Sequence, residues 1–194
     1  MKTKAPDVVP CQILLIGGSL RAGSTNAAVL RTAEIEAPKG VTTQMYRGLA
    51  ELPAFNPDDD HEPLPPAAHQ LRALLAESDA VLISTPEYAG SLPGSFKNLL
   101  DWTVGGGLYG KSVGFINASP AEGGAKSAHD TLRIVLGYVG AELVADACIR
   151  LPVRREAVHA DGYISDASLR AAVGGTLVAL ARQVASTGSP PRAD

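Results

Sequence analysis

The chain is poor in cysteine, and this scarcity limits the ways in which it can be stabilised. Its two cysteines among 194 residues, Cys11 and Cys148, lie in neither a CxxC pair nor a Cys/His cluster with zinc-ligand spacing. A chain of this length buries enough apolar surface to fold without disulfides or metal ions. We therefore predict two reduced thiols that are buried in strands.

Long apolar runs and dense basic runs are also missing. The run from Ile13 to Ile16 is too short for the hydrophobic part of a signal peptide or for a membrane span. The formal net charge is -3, and no Lys/Arg run has the density that tracks a phosphate backbone. We expect a cytoplasmic protein that binds neither nucleic acid nor membranes.

The few histidines form no recognisable catalytic or metal-binding pattern. His61 lies beside the acidic run Asp58 to Asp60, but consecutive acids in a loop do not converge on one ion. His69, His129 and His159 are scattered, and no Ser-His-Asp or Cys-His arrangement is supported. We therefore predict no metal site and name no catalytic side chain.

Short apolar runs alternate with amphipathic segments along the chain. The apolar runs predict strands at Gln12–Ile16, Thr42–Tyr46, Ala80–Ser84, Ser112–Asn117 and Glu142–Ile149. The intervening segments predict helices at about Ala27–Glu36, Pro66–Glu77, Pro93–Trp102, Lys126–Val139 and Ser168–Ser186. Five strands, each followed by a helix, predict a doubly wound α/β fold with a parallel sheet covered on both faces. We expect residues 1–186 to form one domain and residues 187–194 a flexible tail.

The segment from Leu52 to Pro66 contains five prolines and interrupts this alternation. Structureless loops of this length inside a compact domain are usually functional or lie at an interface. The apolar residues Leu52, Phe55 and Leu64 favour an interface. The sequence therefore predicts that this loop is buried in a homodimer or in a dimer of dimers.

The first loop of interest reads GGSLRAGSTN, from Gly17 to Asn26. In open α/β sheets, ligands bind outside the carboxyl ends of the strands, where this loop lies. Free N–H groups at a helix start, hydroxyl groups and the charge of Arg21 together suit a phosphate. The loop lacks the Gly-Lys-Ser/Thr of a triphosphate site and the GxGxxG of a dinucleotide site, so a mononucleotide fits better. The alternative is that Ser24 or Thr25 only caps the helix.

Two further loops follow the third and fourth predicted strands. TPEYAGSLPG, from Thr85 to Gly94, offers consecutive backbone N–H and C=O groups to the edge of a planar heterocycle, with Tyr88 against its rim. Its alternative interpretation is an ordinary tight turn. ASPAEGG, from Ala118 to Gly124, brings small residues to a strand end, where the backbone can approach a ligand closely.

Together, the motifs GGSLRAGSTN, PEYAGSLPGSFKNLLDW and SPAEGGA resemble the NAD(P)H-dependent FMN reductase family over roughly residues 11 to 150. The resemblance implies a flavodoxin-like fold with strand order 2-1-3-4-5, noncovalently bound FMN and NAD(P)H as cosubstrate. It also implies a small acceptor: free flavin, a quinone, an azo compound or chromate. Residues carried over by motif are Ser19, Arg21, Ser24, Asn26 and the backbone of Thr25 for the phosphate; Pro86, Glu87, Tyr88, Ala89, Gly90 and Ser91 for the isoalloxazine ring; and Ser119, Gly123 and Gly124 for its other side.

One position departs from the family pattern. Many members carry Asn after Pro-Glu-Tyr, where this chain has Ala89, so one amide contact to the ring is expected to be missing. The implied enzyme works by alternation: NAD(P)H reduces the flavin and leaves, and an acceptor takes its place. The alternatives are a flavodoxin-type electron carrier without nicotinamide binding, usually more acidic than -3, and a flavin-free mononucleotide-binding module.

Overall fold

The computed structural model describes residues 10–21 and 23–187. Its strands are β1 (Cys11–Gly17), β2 (Val41–Met45), β3 (Ala80–Ser84), β4 (Ser112–Asn117) and β5 (Glu142–Arg150). Its helices are α1 (Thr25–Ile35), α2 (Pro66–Glu77), α3 (Gly94–Asp101), α4 (Lys126–Tyr138) and α5 (Ala167–Thr187), with short 3-10 helices at Pro57–Asp59 and Arg155–Ala157. Among the described residues, no helix is long and apolar enough to cross a membrane.

The five strands form one parallel sheet in the order β2-β1-β3-β4-β5, which confirms the predicted fold. Every residue of β3 and β4 is buried, as expected for central strands covered on both faces. The strand order reverses between β1 and β3. The carboxyl ends of β1, β3 and β4 therefore meet at the crevice where such sheets bind ligands.

The two faces of the sheet carry separate hydrophobic cores. Ile13 and Leu15 of β1 pack with residues of α1 and α5, whereas Leu14 and Ile16 pack with residues of α2, α3 and α4. This division follows from the period of two along a strand, which sends successive side chains to opposite faces. The apolar runs of the sequence are continuous because both faces are covered.

The structure describes both cysteines and the start of the predicted carboxyl-terminal tail. Cys11 is buried and Cys148 is half-buried, and both cysteines are reduced. Thr187, the first residue of the predicted tail, is the last residue of α5, and residues 188–194 lie outside the described part of the chain.

The proline-rich loop between β2 and α2 is held against α3. The Asn98 side chain accepts a hydrogen bond from the Phe55 N–H (2.8 Å) and donates one to the Pro53 carbonyl (2.8 Å). Trp102 donates its indole N–H to the same carbonyl (2.9 Å), and its ring meets the Phe55 ring edge-on at 5.0 Å. Leu52, Phe55 and Leu64 all pack against the core on this face of the sheet. The side chains that suggested a subunit interface are thus partly buried within the chain, and the interface itself stays a prediction.

This arrangement predicts that Asn98→Ala loosens the loop. We expect the free energy of unfolding to fall by about 1–3 kcal/mol, because the Phe55 N–H loses its acceptor in a half-buried position. Urea unfolding measures the change, with Gln70→Ala on the exposed surface of α2 as the control. Equal stability of the Asn98 variant and the wild type would show that this amide does not hold the loop.

Candidate functional site

The loop between β1 and α1 is shaped by two glycines and by the cap of α1. A Cβ at Gly18 would lie 2.0 Å from Thr85 Oγ1, so only glycine fits there. Gly23 has a φ of +68°, which also favours glycine. Ser24 is extended and accepts a hydrogen bond from the Ala27 N–H (3.1 Å), so it caps α1.

Capping leaves several polar groups of this loop unexplained. Arg21 is exposed, and its guanidinium makes no hydrogen bond or ion pair within residues 10–21 and 23–187. Its backbone N–H donates to Ser19 Oγ (3.2 Å), which holds the loop in a tight bend. The unpaired guanidinium and the N–H groups at the start of the helix are together suited to bind a phosphate monoester.

Asn26 joins this loop to the centre of the sheet. Its side chain is buried, and its carbonyl oxygen accepts a hydrogen bond from Ser84 Oγ (2.9 Å) at the end of β3. This bond uses the carbonyl oxygen of the Asn26 side chain, whose NH₂ group is the donor part of the amide. The structure thus gives Asn26 a structural bond, and its role in phosphate binding stays a prediction.

The loop after β3 contains a two-residue turn. Tyr88 and Ser91 exchange both backbone hydrogen bonds (3.0 Å each), and the residues between them, Ala89 and Gly90, have φ values of +50° and +74°. Positive φ at both central positions defines a type I′ turn, for which Asn-Gly is the preferred pair. The turn conformation is thus a second reason for the Asn that the family motif has at this position, in addition to the expected contact with the ring. Ala89 holds the left-handed conformation without the local hydrogen bonds of Asn.

Glu87 links the loop after β3 to the loop after β4. Its carboxylate accepts a hydrogen bond from the Ala128 N–H (3.0 Å) in the first turn of α4. Ala125, the residue before α4, has a φ of +57° and no capping side chain of its own. Glu87 therefore caps α4 from another loop, so its side chain points to α4, whereas the sequence analysis placed it along the ring.

The loop after β4 is fixed from both sides. Asn117 donates to the Gly124 carbonyl (2.9 Å) and accepts from the Ser119 N–H (3.0 Å), and Arg150 donates to the Ala121 carbonyl (2.7 Å). A Cβ at Gly124 would lie 2.1 Å from Ser119 Oγ. Sequence reasoning missed Asn117 and Arg150. Asn117 could have been found from the sequence, because a polar residue at the end of a buried strand indicates a role in the loop that follows.

His129 is a structural residue of α4. It is buried and donates its Nδ1–H to the Ala125 carbonyl (2.7 Å), while its ring packs 5.2 Å from that of Phe115. Burial lowers the pKa of His129, so the neutral imidazole is favoured. The residues that the structure describes contain no group of three or more His, Cys, Asp or Glu side chains able to hold a metal ion.

A trough of about 390 Å³ is lined by all five predicted phosphate residues and by part of the predicted ring loop. We define the trough by its lining: Ser19, Arg21, Gly23, Ser24, Thr25, Asn26, Pro86, Tyr88, Arg155, Val158, His159, Ala160 and Gly162. The remaining predicted residues lie outside this lining: Glu87, Ala89, Gly90, Ser91, Ser119, Gly123 and Gly124. Gly123 instead borders a groove between α4 and β5, which includes Asn117 and His129.

The segment between β5 and α5 forms the third wall of the trough, which sequence reasoning missed. The wall is a short hairpin in which Val158 pairs with Ile164, and the Ile164 N–H donates to Thr32 Oγ1 of α1 (2.9 Å). Within the lining, the loop after β1 brings hydroxyl groups, a free arginine and a helix start, which we call the phosphate end. The loop after β3 brings Pro86 and the half-exposed Tyr88, which we call the ring end. This layout fits the phosphate and the flat ring of FMN.

Comparisons with known proteins agree with this geometry. Residues 11–152 match the family described as NADPH-dependent FMN reductase. An NAD(P)H-dependent FMN reductase of Pseudomonas aeruginosa is 30% identical over 172 residues, which cover 87% of this chain and 92% of that protein. The chain belongs to the NADPH-dependent FMN reductase family. The resemblance inferred from the motifs is confirmed, and with it the oxidoreductase class, the cofactor FMN and the reductant NAD(P)H.

Two further relatives place this FMN reductase among enzymes with varied acceptors. A quinone reductase of Pseudomonas putida is 32% identical over 133 residues, which cover 66% of this chain and 70% of that protein. FerB, a flavoenzyme NAD(P)H:(acceptor) oxidoreductase from Paracoccus denitrificans, superposes with a TM-score of 0.75 at 28% identity, covering 91% of this chain and 98% of that chain. These comparisons support the reductase, and they do not support the flavodoxin-type electron carrier better.

The left-handed conformation of Ala89 predicts a stabilising substitution. We expect Ala89→Asn to raise the free energy of unfolding by about 1 kcal/mol, because Asn tolerates positive φ better than Ala. Ala89→Val should lower it, since a β-branched residue fits this conformation worst. Urea unfolding of the apoprotein measures both.

Ala160→Asn is the matched control, because Ala160 is exposed and lies outside the left-handed region. A similar gain in both Asn variants would contradict the turn argument.

Proposed function

We propose that this FMN reductase passes electrons from NAD(P)H to a quinone or another small oxidant, with FMN held in the trough. The observation that carries the assignment is the division of the trough into a phosphate end and a ring end. The quinone class is supported by relatives named quinone reductase and 2-hydroxy-1,4-benzoquinone reductase. FMN, when bound, accepts a hydride from the nicotinamide and supplies the electrons for the acceptor.

At the phosphate end, the start of α1 supplies directed donors. The Ala27 N–H is bonded to Ser24 Oγ and the Ala28 N–H to the Ser24 carbonyl (3.0 Å), which leaves the N–H groups of Thr25 and Asn26 for an anion. Arg21 adds a full positive charge. Ser19 adds a hydroxyl, so the set proposed for the phosphate is Ser19, Arg21, Ser24, Thr25 and Asn26.

At the ring end, the turn from Tyr88 to Ser91 is closed on itself by its two internal hydrogen bonds. The loop therefore presents a preformed surface, with Pro86 and a Tyr88 ring that is 47% exposed. Glu87 and Asn117 keep this loop and the neighbouring Ser119–Gly124 segment in place. We propose that Ala89, Gly90, Ser91, Ser119, Gly123 and Gly124 border the ring through their backbones.

The residues of the trough bind and orient, and no acid–base pair is needed among them. The titratable groups that line it are Arg21, Tyr88, Arg155 and His159, and none of them is deeply buried. A hydride transfer between stacked rings requires alignment of the rings more than a protein proton donor. The proposed work of this chain is therefore positioning.

We also propose that the protein is cytoplasmic and acts as a homodimer. The reduced state of both cysteines supports a reducing compartment. For the dimer, the structure offers an exposed apolar patch, which we define as Tyr109, Ile134 and Tyr138, with exposures of 79%, 61% and 88%. The Tyr109 ring lies on Gly140, where a Cβ would be only 2.5 Å from Tyr109 Cδ2, so it sits beside the end of α4. Tyrosines are enriched in the centres of interfaces.

The activity is tested by anaerobic stopped-flow absorbance of the FMN-loaded protein. Mixing with NADPH or NADH should bleach the flavin absorbance, and 1,4-benzoquinone should then restore it. Steady-state kinetics should be ping-pong, since both substrates use one stacking surface. If the flavin stays oxidised with both NADPH and NADH, the proposed reductase activity is wrong and the electron-carrier alternative is favoured.

The dimer is tested by light scattering at micromolar concentration. We expect a mass of twice 20.0 kDa for the wild type and a shift towards 20.0 kDa in Tyr138→Asp, because the change buries a charge in an apolar contact. Gln70→Asp, on the exposed surface of α2, is the control and should keep the dimer. A wild-type mass of 20.0 kDa would eliminate the proposal, and an unchanged Tyr138→Asp mass would place the interface elsewhere.

A further inference from the structure

We infer that Arg155 is a second phosphate-binding cation of this site, brought to the phosphate end of the trough by the hairpin between β5 and α5. The inference rests on the proposed binding of FMN in the trough. It adds a residue from the far end of the chain to a site that the motifs confine to the loop after β1. The hairpin is defined here as residues Ala157–Ser165.

The hairpin is a fixed element. The Ser165 N–H donates to the Ala157 carbonyl (2.9 Å), and the His159 N–H donates to the Tyr163 carbonyl (2.8 Å). Ile164 is fully buried, and its N–H is bonded to Thr32 Oγ1 on α1. The hairpin is therefore attached to the same helix whose first turn forms the proposed phosphate site.

A second set of contacts holds the tip of the hairpin. The guanidinium of Arg170 in α5 forms an ion pair with Glu36, the residue that ends α1 (Nε–Oε1 2.7 Å), and lies 5.7 Å from the Tyr163 ring. The His159 ring stacks on the same Tyr163 ring at 4.8 Å. The hairpin thus keeps its position against α1 through its backbone and its side chains.

Arg155 lies just before this hairpin, at the start of the short 3-10 helix, and its side chain is unpaired. Its backbone carbonyl accepts a hydrogen bond from the Val158 N–H (3.1 Å), but its guanidinium makes no hydrogen bond or ion pair in the described part of the chain. By contrast, Arg72 and Arg170 are paired with Asp60 and Glu36. Arg155 lines the same trough as Arg21.

The charge of the ligand calls for a second cation. A phosphate monoester carries about −1.5 to −2 charges at pH 7, more than Arg21 neutralises alone. Arginine presents a planar fork of donors that matches phosphate oxygens, and charge-assisted hydrogen bonds of this kind are the strong ones. Arg155 on one wall and Arg21 on the other would hold the phosphate from two sides.

The chain supplies a matched control in the neighbouring residue. Arg154 is also exposed and also without a side-chain partner among the described residues, but it does not line the trough. Replacing either arginine by alanine removes the same charge from the same short segment. Only the Arg155 change removes it from the proposed site.

The test is a fluorescence titration of the apoprotein with FMN and, separately, with riboflavin, which lacks the phosphate. For Arg155→Ala, we expect the Kd of FMN to rise roughly ten- to hundredfold and the Kd of riboflavin to stay the same. Arg154→Ala should match the wild type with both flavins. Arg155→Lys should recover part of the loss, because it restores the charge without the fork.

The outcomes separate the inference from the proposed function. If Arg21→Ala weakens FMN binding and Arg155→Ala does not, the inference is overturned and the site stands. An equal loss for FMN and riboflavin in Arg155→Ala, or an equal effect of Arg154→Ala, also overturns it, because the effect would then come from the segment's packing or general charge. If the wild type binds FMN no more tightly than riboflavin, the phosphate end itself is wrongly placed. Circular dichroism of each variant checks that it is folded.

Discussion

The close approach of Gly18 to Thr85 is the constraint on which the arrangement of the site depends. The Gly18 N–H donates to the Ser84 carbonyl (2.9 Å), and a Cβ at Gly18 would collide with Thr85 at 2.0 Å. The chain therefore leaves β1 and β3 side by side, and the loops that follow them start from neighbouring points. The first loop is the one proposed to bind the phosphate, and the second presents the half-exposed Tyr88, so the proposed ligand would span both loops.

The loops around this crevice support one another through hydrogen bonds of their side chains. Glu87 leaves the ring loop to cap α4, Asn117 ties both ends of the next loop, and Asn26 bonds to Ser84 under the phosphate loop. Each of these polar groups is bonded within the chain, so the site is preorganised before any ligand arrives. Preorganisation suits a protein whose contribution to the reaction is alignment.

Much of the fold was accessible from the sequence because buried parallel strands produce continuous apolar runs, as in Ala80–Ser84. The strand order and the cofactor came from the resemblance, because periodicity does not say which strands are neighbours. The role of the hairpin was not accessible from the sequence. The Ile164 N–H donates to Thr32 Oγ1, 132 positions away in the chain, and no local sequence pattern predicts such a contact. The contact between Phe55 and Trp102 was not accessible for the same reason, because the two residues are distant in sequence.

The titratable groups next to the site serve the fold. Burial lowers the pKa of His129 and raises the pKa of the Cys148 thiol, so both favour their neutral forms, and the His129 Nδ1–H holds the carbonyl of the strained Ala125. As the pH falls through the ordinary pKa of histidine, the unfolded chain takes up a proton at His129 that the folded chain resists. The stability that His129 contributes is therefore present above that pH and declines below it. Acid would therefore weaken the start of α4, where the Ala128 N–H donates to Glu87 of the loop after β3. The position of that loop thus depends in part on a neutral His129.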